Sequence, residues 1–251
     1  MNRKQNKNMP SVDQNAPLGE DVRLLGGLLG QTIKEQAGQE VFNTVEQIRK
    51  LAKASRNGDS AATEQLIEIL QALPTAQLLP VTKAFSQFLN FANIAEQYHR
   101  IRRRRSYKMD PAQGPQLGSL EDVIPKLKAK GLSSDVLYKT ICNLDIQFVL
   151  TSHPTEVKRR TVMRKYDRIS ADLKKLDNRL LITEQINAIK TDIHREMTAV
   201  WQTSEVRTQK PTPIDEAKWG FAIIESSLWH AVPLFVRELD RVVQLELGKQ
   251  L

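Results

Sequence analysis

A histidine that could move a proton stands where an apolar segment meets a basic one. The segment reads Phe148-Val-Leu-Thr-Ser-His153-Pro-Thr-Glu-Val-Lys-Arg159-Arg160. Pro154 disfavours helical backbone at His153 and so holds it extended, whereas Thr155 and Glu156 are suited to opening a helix. With a reference pKa of about 6.5, histidine takes up and releases protons near neutrality, and it can also hydrogen-bond a phosphate. We therefore expect His153 on a rigid junction beside several cations.

One strand and many helices would position this histidine. Residues 145–151 form the only convincing strand, whereas apolar stripes at helical spacing, such as Leu25, Leu29 and Ile33, run through most of the chain. A strand without a partner leaves backbone groups unpaired, and burying each of them costs about 1 to 3 kcal/mol. The sequence therefore predicts a mostly α fold with one lone strand at about 145–151, and a chain that forms the front part of something larger.

Composition and turn signals divide the chain into segments. Residues 1–17 are polar and predicted to be a disordered tail, and 18–105 are predicted to form an amino-terminal helical layer. Residues 106–118, rich in proline and glycine, are expected to be a loop, and 119–251 to hold further helices and the strand in an incomplete domain. Ser119-Leu-Glu-Asp122 and Thr212-Pro-Ile-Asp215 are typical of helix starts.

The segment around His153 resembles the first signature of the phosphoenolpyruvate carboxylase family. That signature is an apolar residue, then Thr, Ala, His, Pro, Thr, Glu or Gln, two variable positions and a basic pair. The matching residues here are Val149, Thr151, His153, Pro154, Thr155, Glu156, Arg159 and Arg160. Ser152 replaces the usual alanine, which is a small-for-small exchange. Further similar stretches begin at Leu24, Arg49, Ala84, Trp201 and Pro211, in the family's order, so that the resemblance covers nearly the whole chain.

The resemblance implies a helical fold wrapped round an eight-stranded barrel, in which residues 145–151 would be the first strand. His153 would then lie at the carboxyl end of that strand, where barrel enzymes place their chemistry. The implied reaction is carboxylation of phosphoenolpyruvate by bicarbonate, with Mg2+ or Mn2+, to oxaloacetate and phosphate. The matching histidine takes the carboxyl proton from the carboxyphosphate intermediate, so His153 is the expected catalytic residue.

The family's mobile glycine-rich loop, metal ligands, catalytic lysine and substrate-binding arginines belong to later sequence. We therefore expect no metal site and no carboxylation from this chain alone, a carboxy-terminal remainder as its partner, and a homotetramer when complete.

Three arginines match an effector site of the family. Arg159, Arg160 and Arg207 correspond to residues that help bind the activator's phosphate in sugar-phosphate-activated members. Three guanidinium groups round one phosphate make a sensible anion site. The alternative, that they only form salt bridges to the helical shell, stays open.

Charge and hydropathy exclude some classes of function and leave others open. The formal net charge of +8 invites a nucleic-acid interpretation, but we expect Arg102–Arg105 to be a solvated helix end and predict no nucleic-acid binding. No apolar run approaches a membrane span of about 20 residues, and no signal core follows Met1, so a cytoplasmic protein is expected. The single cysteine, Cys142, has apolar neighbours and is predicted to be buried and inert.

A freestanding helical module that binds or regulates another protein is the main alternative. In either case a missing partner should leave an unusually large apolar surface exposed.

Overall fold

The computed structural model describes residues 15–110, 112, 114–149, 160–204 and 212–251. These residues are predominantly helical, which confirms the mostly α fold class. The helices are α1 Ala16–Ala37, α2 Gln39–Arg56, α3 Ser60–Gln71, α4 Thr75–Met109, α5 Leu120–Ala129, α6 Ser134–Cys142, α7 Arg160–Leu176, α8 Thr183–Gln202, α9 Pro213–Ile223 and α10 Trp229–Leu247, with a π-helical turn at Ile224–Leu228 between the last two.

The predicted strand is not paired. Residues 144–149 form neither helix nor strand, and no neighbouring strand exists within the described part of the chain to bond them. Phe148 and Val149 are 67% and 81% exposed. Residues 150 and 151 lie outside the described residues. The segment is therefore an exposed apolar stretch without a ladder partner, and its place in a barrel stays a prediction.

The first compact unit contains residues up to Arg100 together with 164–203. Here α1 packs against α2 and α8, and α2 packs against α3. Apolar residues at helical spacing fill one core, in which Phe91 meets Tyr166 edge to face with ring centroids 5.9 Å apart. Its most completely buried members are Leu25, Phe91, Ala95, Ile169, Leu173, Ile193 and Met197. Each large apolar side chain buried in this way contributes about 1.5 to 3 kcal/mol.

The second unit contains residues 101–163 and 204–251 as far as they are described. Its core is smaller and is formed by α5, α6 and the carboxyl end of α10, through Ile124, Leu137, Val242, Val243 and Leu247. Each unit combines two separate stretches of chain. The predicted segments 18–105, 106–118 and 119–251 are continuous stretches, and they stay predictions.

Helix α4 is longer than the sequence indicated. The expectation that Arg102–Arg105 would be its end is wrong, since the helix runs on to Met109. Arginine and lysine are good helix formers, so the basic run continues the helix. The stop comes at Asp110, because Pro111 disfavours helical backbone in the residue before it.

The helix starts follow their capping signals unequally. At α9, Thr212 Oγ1 accepts the Asp215 N–H at 3.3 Å and the Asp215 carboxylate accepts the Thr212 N–H at 2.9 Å, which confirms the expected start. At α5 the helix starts after Ser119 as expected, but the capping box does not form. Asp122 accepts the N–H of Gly118 at 2.9 Å, the Ser119 N–H donates to the Gln116 carbonyl at 2.9 Å, and the Ser119 side chain makes no capping bond.

The run from Pro213 to Leu247 is long and apolar enough, by length and composition alone, to cross a membrane, and none of its most apolar window is buried. The sequence analysis missed it, because charged residues and Pro233 interrupt the apolar pattern. Its carboxyl end, at Val242, Val243 and Leu247, packs into the second core. A core helix of a larger soluble protein has the same length and composition.

The prediction of a buried Cys142 is wrong, because the thiol is exposed at the end of α6. Helix α6 turns Leu137 and Ile141 toward the second core, which leaves position 142 outside it. A hydrogen bond with Cys142 raises the pKa of Tyr138.

Candidate functional site

Arg160 is the member of the expected site that the structure describes. It is the first residue of α7 and the last residue of the motif that carries the histidine. His153, Arg159 and Arg207 lie outside the described residues, so their expected roles stay predictions. The described part of the site therefore consists of Arg160 and the side chains near the start of α7.

Arg160 forms an ion pair with Glu225. Arg160 Nη2 donates to Glu225 Oε2 at 3.0 Å, and the two side chains are 64% and 65% exposed. An ion pair this exposed stabilises the fold by about 0 to 1 kcal/mol. Glu225 is thus an exposed side chain that forms a salt bridge. The pair is also a salt bridge of the kind that is the alternative to an anion site for Arg160.

Glu225 belongs to the π-helical turn at Ile224–Leu228. The wider turn changes the backbone pairing, and the hydroxyls of Ser226 and Ser227 both donate to the Ile223 carbonyl, at 3.3 Å and 2.6 Å. Single π-turns inside α-helices occur frequently at functional sites. The sequence carries no specific signal for this turn. Pro233 lies inside α10 beyond it.

A guanidinium group has five N–H donors and a single carboxylate occupies few of them. Arg160 therefore retains donors that an anion could accept, and the Glu225 carboxylate lies close enough to compete with that anion. Chemically, the start of α7 offers an exposed cation whose charge is balanced by one acidic partner. This arrangement can hold a phosphate only if other cations join Arg160.

The other three histidines of the chain lie on α4, α8 and α10. His194 Nε2 lies 3.5 Å from Glu35 Oε2 on the first unit, His99 is buried in α4, and His230 is exposed on α10. Across the described ranges, no group of three or more His, Cys, Asp or Glu side chains could hold a metal ion. The described residues therefore do not fit a divalent-metal site.

The basic run Arg102–Arg105 lies on α4. Arg104 and Arg105 are exposed, whereas Arg102 and Arg103 are partly covered. The four arginines therefore do not present one continuous cationic face, and the absence of nucleic-acid binding stays a prediction.

Known proteins match this chain over most of its length. Residues 18–251 match the sequence model of phosphoenolpyruvate carboxylase. The chain is 52% identical over 230 residues to the phosphoenolpyruvate carboxylase of Acinetobacter baumannii, covering 91% of this chain and 26% of that protein. It is 51% identical over 228 residues to that of Acinetobacter baylyi, covering 91% and 25%. With the enzyme of Pseudomonas aeruginosa the identity is 46% over 243 residues, covering 97% and 27%.

The chain thus spans about a quarter of the length of the curated relatives it matches. The matched range includes the signature at His153, both units of the structure and the helices α9 and α10. The chain belongs to the phosphoenolpyruvate carboxylase family.

Proposed function

We propose that this chain is the amino-terminal portion of a phosphoenolpyruvate carboxylase and acts once it is joined to the carboxy-terminal remainder. The observation that carries the proposal is the family match over residues 18–251, which spans about a quarter of the length of the relatives. The reaction would convert phosphoenolpyruvate and bicarbonate into oxaloacetate and phosphate. Alone, the chain would catalyse no carboxylation.

In the proposed reaction His153 accepts a proton. Phosphoryl transfer to bicarbonate gives carboxyphosphate and the enolate of pyruvate. His153 then accepts the carboxyl proton of carboxyphosphate, which yields the carbon dioxide that the enolate captures. An imidazole suits this step, because its proton affinity is matched to neutral pH and it can hydrogen-bond the departing phosphate.

The exposed apolar surface of the second unit supports a missing partner. Trp229 is 72% exposed, and Leu234 and Val236 on the same helix are also exposed. The apolar stretch 144–149 is exposed as well. Exposed apolar surface of this kind often marks an interface, and a missing partner was expected to leave it. We propose that the carboxy-terminal part of the enzyme covers it and pairs with residues 145–151.

Arg160 supports an anion site in the complete enzyme. We propose that Arg159 and Arg207 join Arg160 there and that the three bind a phosphate group. The exposed guanidinium of Arg160, with donors beyond the one that Glu225 accepts, is what supports this role. The ligand that carries the phosphate is not fixed by the resemblance.

Mg2+ or Mn2+ is proposed for the complete enzyme only. Since the described residues offer no metal-ligand cluster, the ligands would come from the carboxy-terminal remainder. Homotetrameric assembly and a cytoplasmic location, both expected from the sequence, stay predictions.

Reconstitution from two polypeptides tests the proposal. The 251-residue chain is mixed with the carboxy-terminal three quarters of the Acinetobacter baumannii relative, and oxaloacetate formation from phosphoenolpyruvate and bicarbonate is followed by coupled reduction to malate. We expect oxaloacetate from the mixture and none from either polypeptide alone. The same chain carrying His153→Asn is the matched control, and it should associate without restoring activity. Folded polypeptides that neither associate nor form oxaloacetate would favour the freestanding module instead.

A further inference from the structure

The second unit contains a cavity that the proposed carboxylation does not use. It has a volume of about 650 Å3 and lies between the end of α4, the loop 114–119, the start of α5 and the middle of α10. That volume falls within the range of small-molecule sites. Its walls combine three cations with two carboxylates and several apolar side chains. The cations are Arg104, Lys108 and Arg241, and the carboxylates are Glu121 and Glu238.

Two of the three cations are occupied by the carboxylates. Lys108 Nζ lies 2.8 Å from Glu238 Oε1, and Arg241 donates from Nε to Glu238 at 3.1 Å and from Nη2 to Glu121 at 2.7 Å. This network joins α4, α5 and α10 beside the cavity. Arg104 stands outside the network, because no ion pair or hydrogen bond reaches its side chain within the described part of the chain. The wall therefore carries one cation in excess, and it is the exposed one.

A polar atom in the same wall lacks a partner. The Ser119 Oγ is buried and makes no hydrogen bond, although Ser119 is the residue before α5 where a hydroxyl usually caps the helix. A buried hydroxyl without a partner is costly, about 1 to 3 kcal/mol. A rotation of the Ser119 side chain would let the hydroxyl donate to an anion in the cavity, and the partial positive charge at the start of α5 favours an anion there.

The rim is apolar and largely uncovered. Leu117 is 83% exposed and Phe235 is 49% exposed, and both line the cavity with Tyr107 and Leu120. Gly114 and Gly118 have φ of 70° and 79°, a backbone conformation that a side chain would strain, and they allow the loop to curve round the opening. Apolar and aromatic walls with a few convergent polar groups are typical of sites for organic ligands.

We propose that this cavity binds a small organic anion, in which a phosphate or carboxylate group contacts Arg104 and Ser119 and an apolar or ring portion covers Leu117 and Phe235. The excess of one cation selects a negative group, and the uncovered rim selects a ligand with an apolar part over a bare inorganic ion. The site involves neither His153 nor Arg160.

Calorimetric titration of the 251-residue chain with phenyl phosphate tests this proposal. Inorganic phosphate is the control ligand that carries the charge without the ring, and phenol is the control ligand that carries the ring without the charge. We expect phenyl phosphate to bind more tightly than either. Arg104→Gln should weaken the binding of phenyl phosphate about tenfold, because it removes one charge-assisted hydrogen bond. Arg105→Gln, the matched charge change on the neighbouring residue that does not line the cavity, should alter affinity less than about twofold.

A second pair of variants tests the apolar wall. Phe235→Ala should weaken phenyl phosphate several-fold and leave inorganic phosphate unchanged, whereas Val236→Ala, equally exposed but outside the cavity, should change neither. Arg160→Gln should leave binding intact, which separates the cavity from the proposed arginine site at the start of α7. Circular dichroism confirms that each variant folds.

Three results would overturn the proposal: no saturable phenyl phosphate binding, equal losses in Arg104→Gln and Arg105→Gln, or a loss in Arg160→Gln alone. These readouts measure binding to the chain itself, so they do not depend on whether reconstitution yields oxaloacetate.

Discussion

Arg160 Nη2 lies 3.0 Å from Glu225 Oε2 and so joins the start of α7 to the π-helical turn before α10. The two residues are 65 positions apart in the sequence. Glu225 therefore neutralises a cation that stands immediately after the signature histidine segment. The contact places an acidic competitor at the proposed anion site.

Replacing Glu225 should strengthen anion binding at this position. Glu225→Gln removes the competing negative charge, and because both side chains are largely exposed, the affinity for inorganic phosphate should rise by at most about fivefold. The measurement is a phosphate titration of the complete enzyme at low ionic strength, where screening is weakest. Glu216→Gln makes the same charge change in α9 and is the control. An unchanged or weaker affinity in Glu225→Gln would remove Glu225 as a competitor.

His153→Asn in the complete enzyme should abolish oxaloacetate formation while leaving phosphoenolpyruvate binding largely intact. Asparagine can keep a hydrogen bond but cannot accept the proton of carboxyphosphate. Binding is measured by titration and turnover by oxaloacetate production. His194→Asn, in the first unit beside Glu35, should retain activity. Normal turnover in the His153 variant would exclude the residue from the mechanism.

Gln87 should be a weak point of the first core. Its side chain is buried on α4, and neither the amide nitrogen nor the amide oxygen has a hydrogen-bond partner. Gln87→Met keeps the volume and removes the unpaired polar atoms, so we expect the free energy of unfolding to rise by about 1 to 3 kcal/mol. Urea denaturation followed by circular dichroism measures the change.

The exposed Gln97 on the same helix provides the control for that substitution. Gln97→Met should change stability by less than about 0.5 kcal/mol. A destabilised Gln87→Met variant would show that the amide is satisfied in solution, for example by water.

Glu238 should make the second unit sensitive to acid. Hydrogen bonds from Arg241 and then Lys108 lower the pKa of Glu238 to about 2. A carboxylate whose pKa is lower in the folded than in the unfolded state stabilises the fold above the unfolded pKa, and this stabilisation is lost as the pH falls toward the folded pKa. We therefore expect the stability advantage of the wild type over Glu238→Gln to shrink between about pH 4.5 and pH 2.

Urea midpoints of both proteins across that pH range measure the effect. An advantage that stays constant down to about pH 2 would contradict the assignment.

Local signals in the sequence identified most helices correctly, because they act within a single turn. Thr212, Pro213 and Asp215 specify the start of α9 through side-chain and backbone contacts three residues apart, and the structure contains that start. Ser133 likewise accepts the Val136 N–H at the start of α6. The motif at His153 and the similar stretches around it were sufficient to identify the family.

Other features depended on contacts that no local signal reports. The sequence suggested that α4 would end in its arginines, that Cys142 would be buried and that Ser119 and Asp122 would form a capping box at α5, and each expectation was wrong. Helix propensity carried α4 on to Met109, the packing of α6 turned Cys142 outward, and Ser119 Oγ was left buried without a partner.

The amino-acid sequence by itself determined the family, the helical class and the catalytic expectation for His153, because these depend on residue types at fixed short spacings. Only the tertiary structure decided that Arg160 meets Glu225 and that Arg104 and Phe235 line one cavity. Those residues lie far apart along the chain, and the helix packing that brings them together depends on the shapes of whole elements. A hydrophobic pattern that repeats every turn specifies which face of a helix is apolar. Which other helix packs against that face depends on the shapes of both helices.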